Sequence, residues 1–372
     1  MKFVINQKDL VQQLNIVNKG ISNNNIQPIL SGIYIETTTY NTLILRGTDM
    51  ELGIECQLDI TVEEPGKIVI PSKYFVEMMK KLPAIDLYFT TGENKQLKID
   101  YGASELKLNF YDGEEYPAIH DFIGNIIFTM KGEDLNKGIQ RVQVAVSNDS
   151  NRPIFTGVLL EIKENRIHFV SSDTHRLCHT SMALDLDNIE NTEVIVPAKS
   201  LKEIASIINP EDNVEIHLTD NRILFKIENR KIVSRLIEGK FVNYSQVIPS
   251  QFGIELKIMR RSFLETLDRA FLLTRDELKS KLNTVKLNIE ENKLIVSCKS
   301  SEIGDIYEEI PIYSNGGDLE LGFNAKYLIE VLRALDTEEV VVKLSTPQNP
   351  GIIEPISDTE DVLYLILPVR LQ

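Results

Sequence analysis

Hydrophobic positions along the chain follow two patterns. In the first, apolar residues recur three or four positions apart, as at Leu10, Leu14 and Val17, which is typical of an amphipathic α-helix. In the second, apolar and polar residues alternate, as over 97–100 and 106–110, which is typical of strands joined by tight turns. The chain is therefore predicted to be an α+β protein in which helices pack on antiparallel sheet.

The same order of elements occurs three times. A short strand runs directly into a helical pattern at Lys73, at Lys199 and at Lys326, so the copies are 126 and 127 residues apart. A period of this length is that of a whole small domain and is too long for a solenoid repeat. Each copy is predicted to have two helices packed on antiparallel sheet. The predicted domains span residues 1–125, 126–250 and 251–372.

Composition and charge narrow the functional classes. The 372 residues include 40 Lys and Arg against 55 Asp and Glu, and the net charge of −15 argues against a surface that is basic throughout. A local basic face remains compatible with this charge. Cys56, Cys178 and Cys298 form no CxxC pair, which fits a reducing compartment. No apolar run approaches about 20 residues, and polar residues follow Met1 too early for a signal peptide, so a cytoplasmic location is expected.

Basic residues recur on the predicted helices, away from the apolar stripes. One interpretation is that they are solvated side chains paired with glutamates at helical spacing, such as Glu77, Glu203 and Glu330. The other is that all the helices turn one basic face towards a polyanion. The residues that would form this face under the second interpretation are Lys73, Lys80, Lys137, Arg141, Lys199, Lys202, Arg269, Lys326 and Arg333.

The segment 172–179 contains a dense set of reactive side chains, and a hydrolase built on a triplicated scaffold is the alternative function. Cys178 and His179 are adjacent, however, so in a strand they point to opposite faces. A zinc site needs about four converging ligands, and the sequence contains no P-loop, GxGxxG or HExxH motif. We therefore expect a binding protein with no catalytic residues, no metal and no cofactor.

Several segments resemble those of the bacterial sliding clamp, the β subunit of the replicative DNA polymerase III. They are residues 28–32, 47–49, 172–177, 194–197, 322–324 and 364–371. The resemblance covers the whole chain and implies the DNA clamp fold. It also implies a head-to-tail homodimer whose six domains close a ring around double-stranded DNA, without sequence specificity, and tether the polymerase for processivity. In such a ring the nine basic residues of the helices are predicted to face DNA.

The resemblance further implies a pocket between domains 2 and 3 that binds short peptide motifs. Its implied partners are the catalytic subunit of the replicative polymerase, the clamp loader, and other polymerases and repair proteins. The C-terminal run is too apolar for a free tail, and Pro368 should end its pairing as a strand. The predicted pocket residues are Phe155, Ser172, Thr174, His175, Arg176, Leu177, Val242, Val247, Asn324, Tyr327, Leu367, Pro368, Val369, Arg370 and Leu371.

The dimer interface is predicted to join the end of domain 1 to the first helix of domain 3. Leu106 and Leu108 lie on an apolar, strand-like edge, and exposed edges seek partners. Leu272 and Leu273 extend beyond the apolar stripe of their helix. The alternative is that these four leucines fill the cores of their own domains.

The sequence departs from the family pattern at four places. Thr174 stands where the family usually has glycine, and threonine is strained if that position needs a positive φ. Val242 replaces a common proline, and Gln372 follows the usual terminal leucine. Asparagines at 23–25 stand where an arginine that contacts DNA is often found.

Overall fold

The computed structural model of the chain describes residues 1–22, 27–117, 125–184, 191–274, 283–300, 303–357 and 361–371. The departures at 23–25 and at Gln372 lie outside these residues. The chain divides into two compact units, one formed by residues 1–133 and 203–236 and the other by residues 134–202 and 237–372.

The first unit contains two antiparallel sheets, with strands numbered in chain order. The five-stranded sheet has the spatial order β5 (Thr61–Glu64), β1 (Lys2–Asn6), β7 (Asp86–Thr91), β8 (Gln96–Tyr101) and β9 (Ser104–Asn109). The nine-stranded sheet has the order β10 (Tyr111–Asp112), β6 (Gly66–Pro71), β2 (Gly32–Thr37), β3 (Thr42–Thr48), β4 (Leu52–Asp59), β18 (Arg230–Arg235), β17 (Arg222–Ile227), β16 (Asn213–Leu218) and β11 (Asn125–Lys131).

The second unit also contains two antiparallel sheets. The nine-stranded sheet has the order β15 (Thr192–Pro197), β12 (Gly157–Lys163), β13 (Arg166–Ser172), β14 (Arg176–Ala183), β27 (Val362–Ile366), β26 (Gly351–Pro355), β25 (Glu339–Leu344), β19 (Ile254–Met259) and β23 (Tyr313–Asn315). The four-stranded sheet has the order β22 (Gly304–Pro311), β21 (Lys293–Ser300), β20 (Thr284–Glu290) and β24 (Leu319–Asn324).

Six α-helices occur in the described part of the chain, two for each predicted repeat. They are α1 (Gln7–Val17), α2 (Ser72–Lys81), α3 (Gly132–Gln143), α4 (Ala198–Ala205), α5 (Arg260–Leu273) and α6 (Ala325–Ala334). Each begins directly after a strand, and two starts are capped by an asparagine: Asn6 accepts from the Lys8 amide and Asn324 from the Lys326 amide. None of the helices in the described ranges is long and apolar enough to cross a membrane.

Strand pairing shows the threefold repeat directly. One run of four strands is β1-β7-β8-β9, and it recurs as β11-β16-β17-β18 and β19-β25-β26-β27. The other is β6-β2-β3-β4, and it recurs as β15-β12-β13-β14 and β24-β20-β21-β22. The predicted repeat of helices on antiparallel sheet is therefore confirmed, whereas the boundaries at 125 and 250 stay a prediction.

The ends of these runs meet in two places within the chain. β4 pairs with β18 along Leu52–Cys56, and β14 pairs with β27 along Arg176–Thr180. The corresponding ends β9 and β22 each have one neighbouring strand among the described residues. Of the six corresponding strands, β4, β9, β14, β18, β22 and β27, only β9 and β22 therefore keep an unpaired edge among the described residues.

The end of α1 and the 3-10 turn that follows it, Asn18–Gly20, pack against β3 at a contact that requires glycine. A Cβ atom on Gly20 would lie 2.6 Å from the carbonyl oxygen of Gly47, and a Cβ atom on Gly47 would overlap the carbonyl oxygen of Val17. The atom nearest to each added Cβ is a backbone oxygen, which cannot move away as the end of a flexible side chain could. The two glycines therefore set how closely the helix end approaches the sheet.

The substitution Gly47→Ala should lower the free energy of unfolding by about 1–3 kcal/mol, because overpacking against backbone forces a shift of the helix or the sheet. Urea denaturation followed by circular dichroism measures this change. Gly92→Ala is the matched control in the same unit, since a Cβ atom there meets its nearest atom at 3.7 Å. Equal unfolding midpoints for the two variants would contradict this account of the contact.

Candidate functional site

The turn between β13 and β14 is held by its own side chains. The Asp173 amide donates to the carbonyl oxygen of Arg176 at 3.2 Å, and Asp173 Oδ1 accepts from the amides of His175 and Arg176, both at 2.9 Å. Ser172 Oγ donates to the Arg176 carbonyl oxygen at 2.9 Å and accepts from the Thr174 amide at 3.2 Å. Such local bonds fix a short polar loop in one conformation.

Thr174 occupies a strained backbone conformation within this turn. Its φ is +76°, in the left-handed region that favours glycine. Met50, which holds the corresponding place between β3 and β4, has the same φ of +76°. The condition under which threonine would be strained is therefore met, and the turn keeps this conformation despite a β-branched residue.

Arg176 connects the turn to α6. Its Nη1 donates to Glu330 Oε2 at 2.5 Å, and its Nε donates to Asp173 Oδ2 at 3.0 Å. The guanidinium carbon lies 4.3 Å from the centre of the Tyr327 ring, within range of a cation–π interaction. The Arg176 side chain is only 9% exposed, so these partners stabilise a charge that has little contact with solvent.

The C-terminal tail is docked between the turn and β24. The Leu367 amide donates to the carbonyl oxygen of His175 at 2.9 Å, Pro368 has no amide hydrogen, and the Val369 amide donates to the carbonyl oxygen of Gly322 at 2.8 Å. The prediction that Pro368 ends the strand pairing is confirmed. A Cβ atom on Gly322 would lie 2.7 Å from the Val369 carbonyl oxygen, so glycine permits this docking.

The segment 237–252, called the linker below, packs on one face of the nine-stranded sheet of the second unit. Phe241 is buried, and its ring meets the Phe155 ring edge-on with 6.0 Å between centres. Val242 and Val247 stay 40% and 45% exposed. The buried cluster under the linker consists of Leu159, Val170, Leu177, Ile195, Phe241, Ile352 and Leu365.

The structure links most of the predicted pocket residues through one connected set of contacts. The turn contributes Ser172 to Arg176, the tail bonds to His175, and the His175 ring lies 6.4 Å from the Tyr327 ring, centre to centre. Phe155 and Leu177 share the apolar cluster with the linker. Four of the predicted residues are buried and support the surface from below: Ser172, Arg176, Leu177 and Asn324.

A cleft of about 470 Å³ lies beside the tail. It is lined by the tail residues Pro368 to Leu371 and by Glu320, Leu321, Gly322, Pro347 and Gln348. Sequence reasoning missed Glu320, Leu321, Gly322, Pro347 and Gln348, and it also missed Phe241, Tyr244 and Glu330 as supports of the site. Gly322 and Phe241 lie inside segments that recur in the repeats, which is the one sequence signal that could have found them.

The reactive side chains of 172–179 do not converge. The Asp173 carboxylate accepts hydrogen bonds from His175 and Arg176 within the turn. Cys178 is fully buried, and burial raises the pKa of its thiol. His179 instead lies beside His168, with Nε2 and Nδ1 3.0 Å apart. In the described ranges, no three His, Cys, Asp or Glu side chains are close enough together to hold a metal ion.

Eight of the nine residues predicted to face DNA are exposed on the helices. Several form exposed ion pairs. Lys80 with Glu77 and Lys326 with Glu330 have the helical spacing that the first interpretation expected, whereas Arg269 with Glu308 and Arg333 with Asp268 join distant segments. Arg141 is a correction to this set. Its side chain is buried and donates to Thr180 Oγ1 at 3.3 Å, so it does not belong to an exposed basic face.

None of the four leucines predicted at the dimer interface is fully buried. Leu106 and Leu108 are partly exposed on the edge strand β9, Leu273 is partly exposed, and Leu272 is 60% exposed at the end of α5. These positions are not ordinary core positions in a single chain. The interface itself stays a prediction.

Comparison with known proteins identifies the family. Residues 1–120, 129–243 and 245–370 match the N-terminal, central and C-terminal domains of the DNA polymerase III beta subunit. A beta sliding clamp of Staphylococcus aureus is 34% identical over 380 residues, which cover 100% of this chain and 99% of that protein. The solved sliding clamp of Bacillus subtilis has a TM-score of 0.95 at 30% identity, and a putative DNA polymerase III beta subunit from Eubacterium rectale has 0.94 at 32%, each with full coverage of both chains.

The fold and the site therefore define a clamp protein, and the chain belongs to the DNA polymerase III beta subunit family, the bacterial sliding clamps. The DNA clamp fold predicted from the resemblance is confirmed. Members of this family are non-catalytic processivity factors, so the hydrolase alternative is set aside. Membership implies DNA and DNA polymerase III as partners.

The substitution Thr174→Gly should raise the free energy of unfolding by about 1 kcal/mol, because it removes the strain of a β-branched residue at positive φ. Thermal and urea denaturation measure the change. Thr174→Ala is the matched control, since it keeps a Cβ atom at the same φ and should give little or no gain. A Thr174→Gly variant that is less stable than the wild type would contradict the assignment of strain.

Proposed function

We propose that the chain works as a head-to-tail homodimer, a ring of six domains that encircles double-stranded DNA and tethers the replicative polymerase in the cytoplasm. Client proteins, among them the catalytic subunit of the polymerase, the clamp loader, and other polymerases and repair proteins, bind through short peptide motifs between domains 2 and 3. The observation that carries the ring is the pair of unpaired sheet edges, β9 and β22.

These two edges correspond to strands that pair elsewhere in the chain. β9 is the counterpart of β18 and β27, and β22 is the counterpart of β4 and β14. Each junction inside the chain joins one strand of each kind. β22 of one copy and β9 of a second copy offer the same junction, and such a head-to-tail contact forms a closed ring when its rotations close.

The two internal junctions share one register, which supports a specific alignment for the third. Glu55 lies opposite Lys231, and His179 lies opposite Leu363. In both cases the fourth residue of β4 or β14 faces the second residue of its partner strand, β18 or β27. The same rule sets Tyr307 opposite Glu105 of the partner subunit.

This register matches side chains across the proposed interface. Ile306 would lie opposite Leu106 of the partner subunit, and Asp305 opposite Lys107 of the partner subunit. Apolar and oppositely charged cross-strand pairs each stabilise a sheet by about 0.2–1 kcal/mol. Leu272 on α5 adds exposed apolar surface in the same unit as β22.

Cysteine pairs test the dimer and its register together. In a Cys298→Ser background, Leu106→Cys with Ile306→Cys should give a covalent dimer under mild oxidation, because these positions face each other. The control pair Leu108→Cys with Ile306→Cys is displaced by two residues and should crosslink far less. Light scattering that shows a monomer at micromolar concentration would contradict the dimer, and preferential crosslinking of the control pair would contradict the register.

The exposed basic residues of the helices support binding to DNA without sequence specificity. Phosphate attraction does not depend on sequence and suits a ring that slides. The acidic net charge elsewhere would disfavour adsorption of DNA to other surfaces. Lys73, Lys199 and Lys326 hold equivalent places at the starts of α2, α4 and α6.

The triple variant Lys73→Gln, Lys199→Gln and Lys326→Gln should weaken retention on circular DNA. It should also flatten the dependence of log K on log salt by about 0.9 for each lost phosphate contact. The control variant carries Lys163→Gln, Lys226→Gln and Lys293→Gln on strands. Light scattering should show both variants as dimers, and equal retention of both on DNA would contradict the assignment of the helices.

The peptide pocket is supported by the docked tail and by the apolar side chains around it. Val242, Val247 and Leu367 are at least one-third exposed beside a buried apolar cluster. Anchors that fill such subsites concentrate binding energy in a few side chains. Polar groups at the rim, including His175 and Arg370, would bind the backbone and a glutamine of the peptide.

Deletion of residues 369–372 should weaken binding of a Gln-Leu-x-Leu-Phe peptide at least about thirty-fold, because it removes one wall of the pocket. Isothermal titration calorimetry measures the affinity, and deletion of Gln372 alone is the control. The truncated chain should remain a dimer that encloses DNA. Unchanged peptide affinity after the longer deletion would overturn the assignment of the pocket.

A further inference from the structure

The linker supplies two walls of the proposed pocket and has little regular structure of its own. Val242 and Val247 lie in it, and its one helical element among the described residues is the short 3-10 turn Tyr244–Gln246. A segment of this kind takes its path from the side chains that anchor it. The position of the two valines therefore depends on anchors in the linker.

Tyr244 is an anchor at the centre of the linker. Its hydroxyl donates to Glu161 Oε2 on β12 at 2.5 Å, and its ring stacks on the His179 ring of β14 with 5.3 Å between centres. Its carbonyl oxygen accepts from the amides of Val247 and Ile248 at 3.0 and 3.3 Å. One residue thus ties a wall of the pocket to two strands of the sheet.

The stack continues below Tyr244. The His179 ring also stacks on the His168 ring of β13, again with 5.3 Å between centres, and their facing nitrogens are 3.0 Å apart. Burial lowers the pKa of His179 to about 4 and also lowers the pKa of His168. The charged groups around the two rings are Glu161, Asp361, Arg166 and Lys163. Both imidazoles are therefore neutral near pH 7.

We propose that Tyr244 is a positioning residue of the peptide pocket. By joining Glu161 to His179, it fixes the linker so that Val242 and Val247 form the pocket wall. The inference rests on the proposed peptide-binding function. It goes further, because it assigns the shape of this wall to the contact of Tyr244 with Glu161 and His179, which does not involve the peptide.

Substitutions at Tyr244 test the inference through peptide affinity. Tyr244→Phe keeps the ring and removes the hydrogen bond to a carboxylate, and it should weaken the Gln-Leu-x-Leu-Phe peptide about ten-fold. Tyr244→Ala also removes the stack and should weaken it more. Tyr313→Phe is the matched control, because Tyr313 is 65% exposed on β23 and lies outside the linker. Circular dichroism establishes the folded fraction of each variant.

The pH profile separates positioning from a general loss of stability. Because burial in the packed arrangement lowers the pKa of His179 below the ordinary value of 6.5, His179 binds a proton more readily when the linker is released and the ring is exposed. Peptide affinity should therefore fall as the pH is lowered from 7 to 5, with a capped peptide that has no titratable group. His179→Phe keeps an aromatic ring under Tyr244 and should remove most of this dependence.

The outcomes distinguish the inference from the function on which it rests. A wild-type chain that does not bind the peptide overturns the proposed pocket and, with it, the inference. Normal wild-type binding with unchanged affinity in both Tyr244 variants overturns the positioning role alone. The same holds if affinity is lost only in proportion to the unfolded fraction, or if His179→Phe keeps the wild-type pH profile.

Discussion

Backbone hydrogen bonding between sheet edges is the interaction on which the rest of this structure depends. An unpaired edge leaves a row of amide and carbonyl groups without partners, and each repeat contributes two edge strands to the junctions, one of each kind. The pairing of β14 with β27 satisfies one pair of edges and also brings the 173–176 turn against the C-terminal tail and α6. The candidate pocket therefore exists because two repeats are joined at their edges.

The charged groups of the protein fall into two physical classes. Arg176 is buried beside both Asp173 and Glu330, and losing both carboxylates would leave an unpaired buried charge, which is strongly destabilising. Exposed pairs such as Lys80 with Glu77 contribute about 0–1 kcal/mol each. Phosphate groups can compete with such weak pairs, so ion pairing on the helices is compatible with their proposed role towards DNA.

Local periodicity predicted the helices and strands, because each depends on neighbours in sequence, and the recurrence of similar segments about 126 residues apart predicted the repeat. The buried stripe of Leu10, Leu14 and Val17 is an example. Periodicity could not predict contacts between distant segments. Arg141 was assigned to an exposed face, but its helix lies under Tyr364, whose hydroxyl donates to the Arg141 carbonyl oxygen across 223 residues. Glu330 was missed as a support of the pocket for the same reason, since its partner Arg176 lies 154 residues away.

The central claim is that β9 and β22 pair with each other between two copies of the chain. Hydrogen–deuterium exchange read by mass spectrometry tests this pairing at the amides themselves, first in concentrated protein and then after dilution below the dissociation constant. The account predicts that the outward-facing amides of β9 and β22, which are not bonded to β8 or β21, are protected only at high concentration, whereas the junction amides of β4, β18, β14 and β27 are protected at both. Rapid exchange of β9 and β22 in concentrated protein would contradict it.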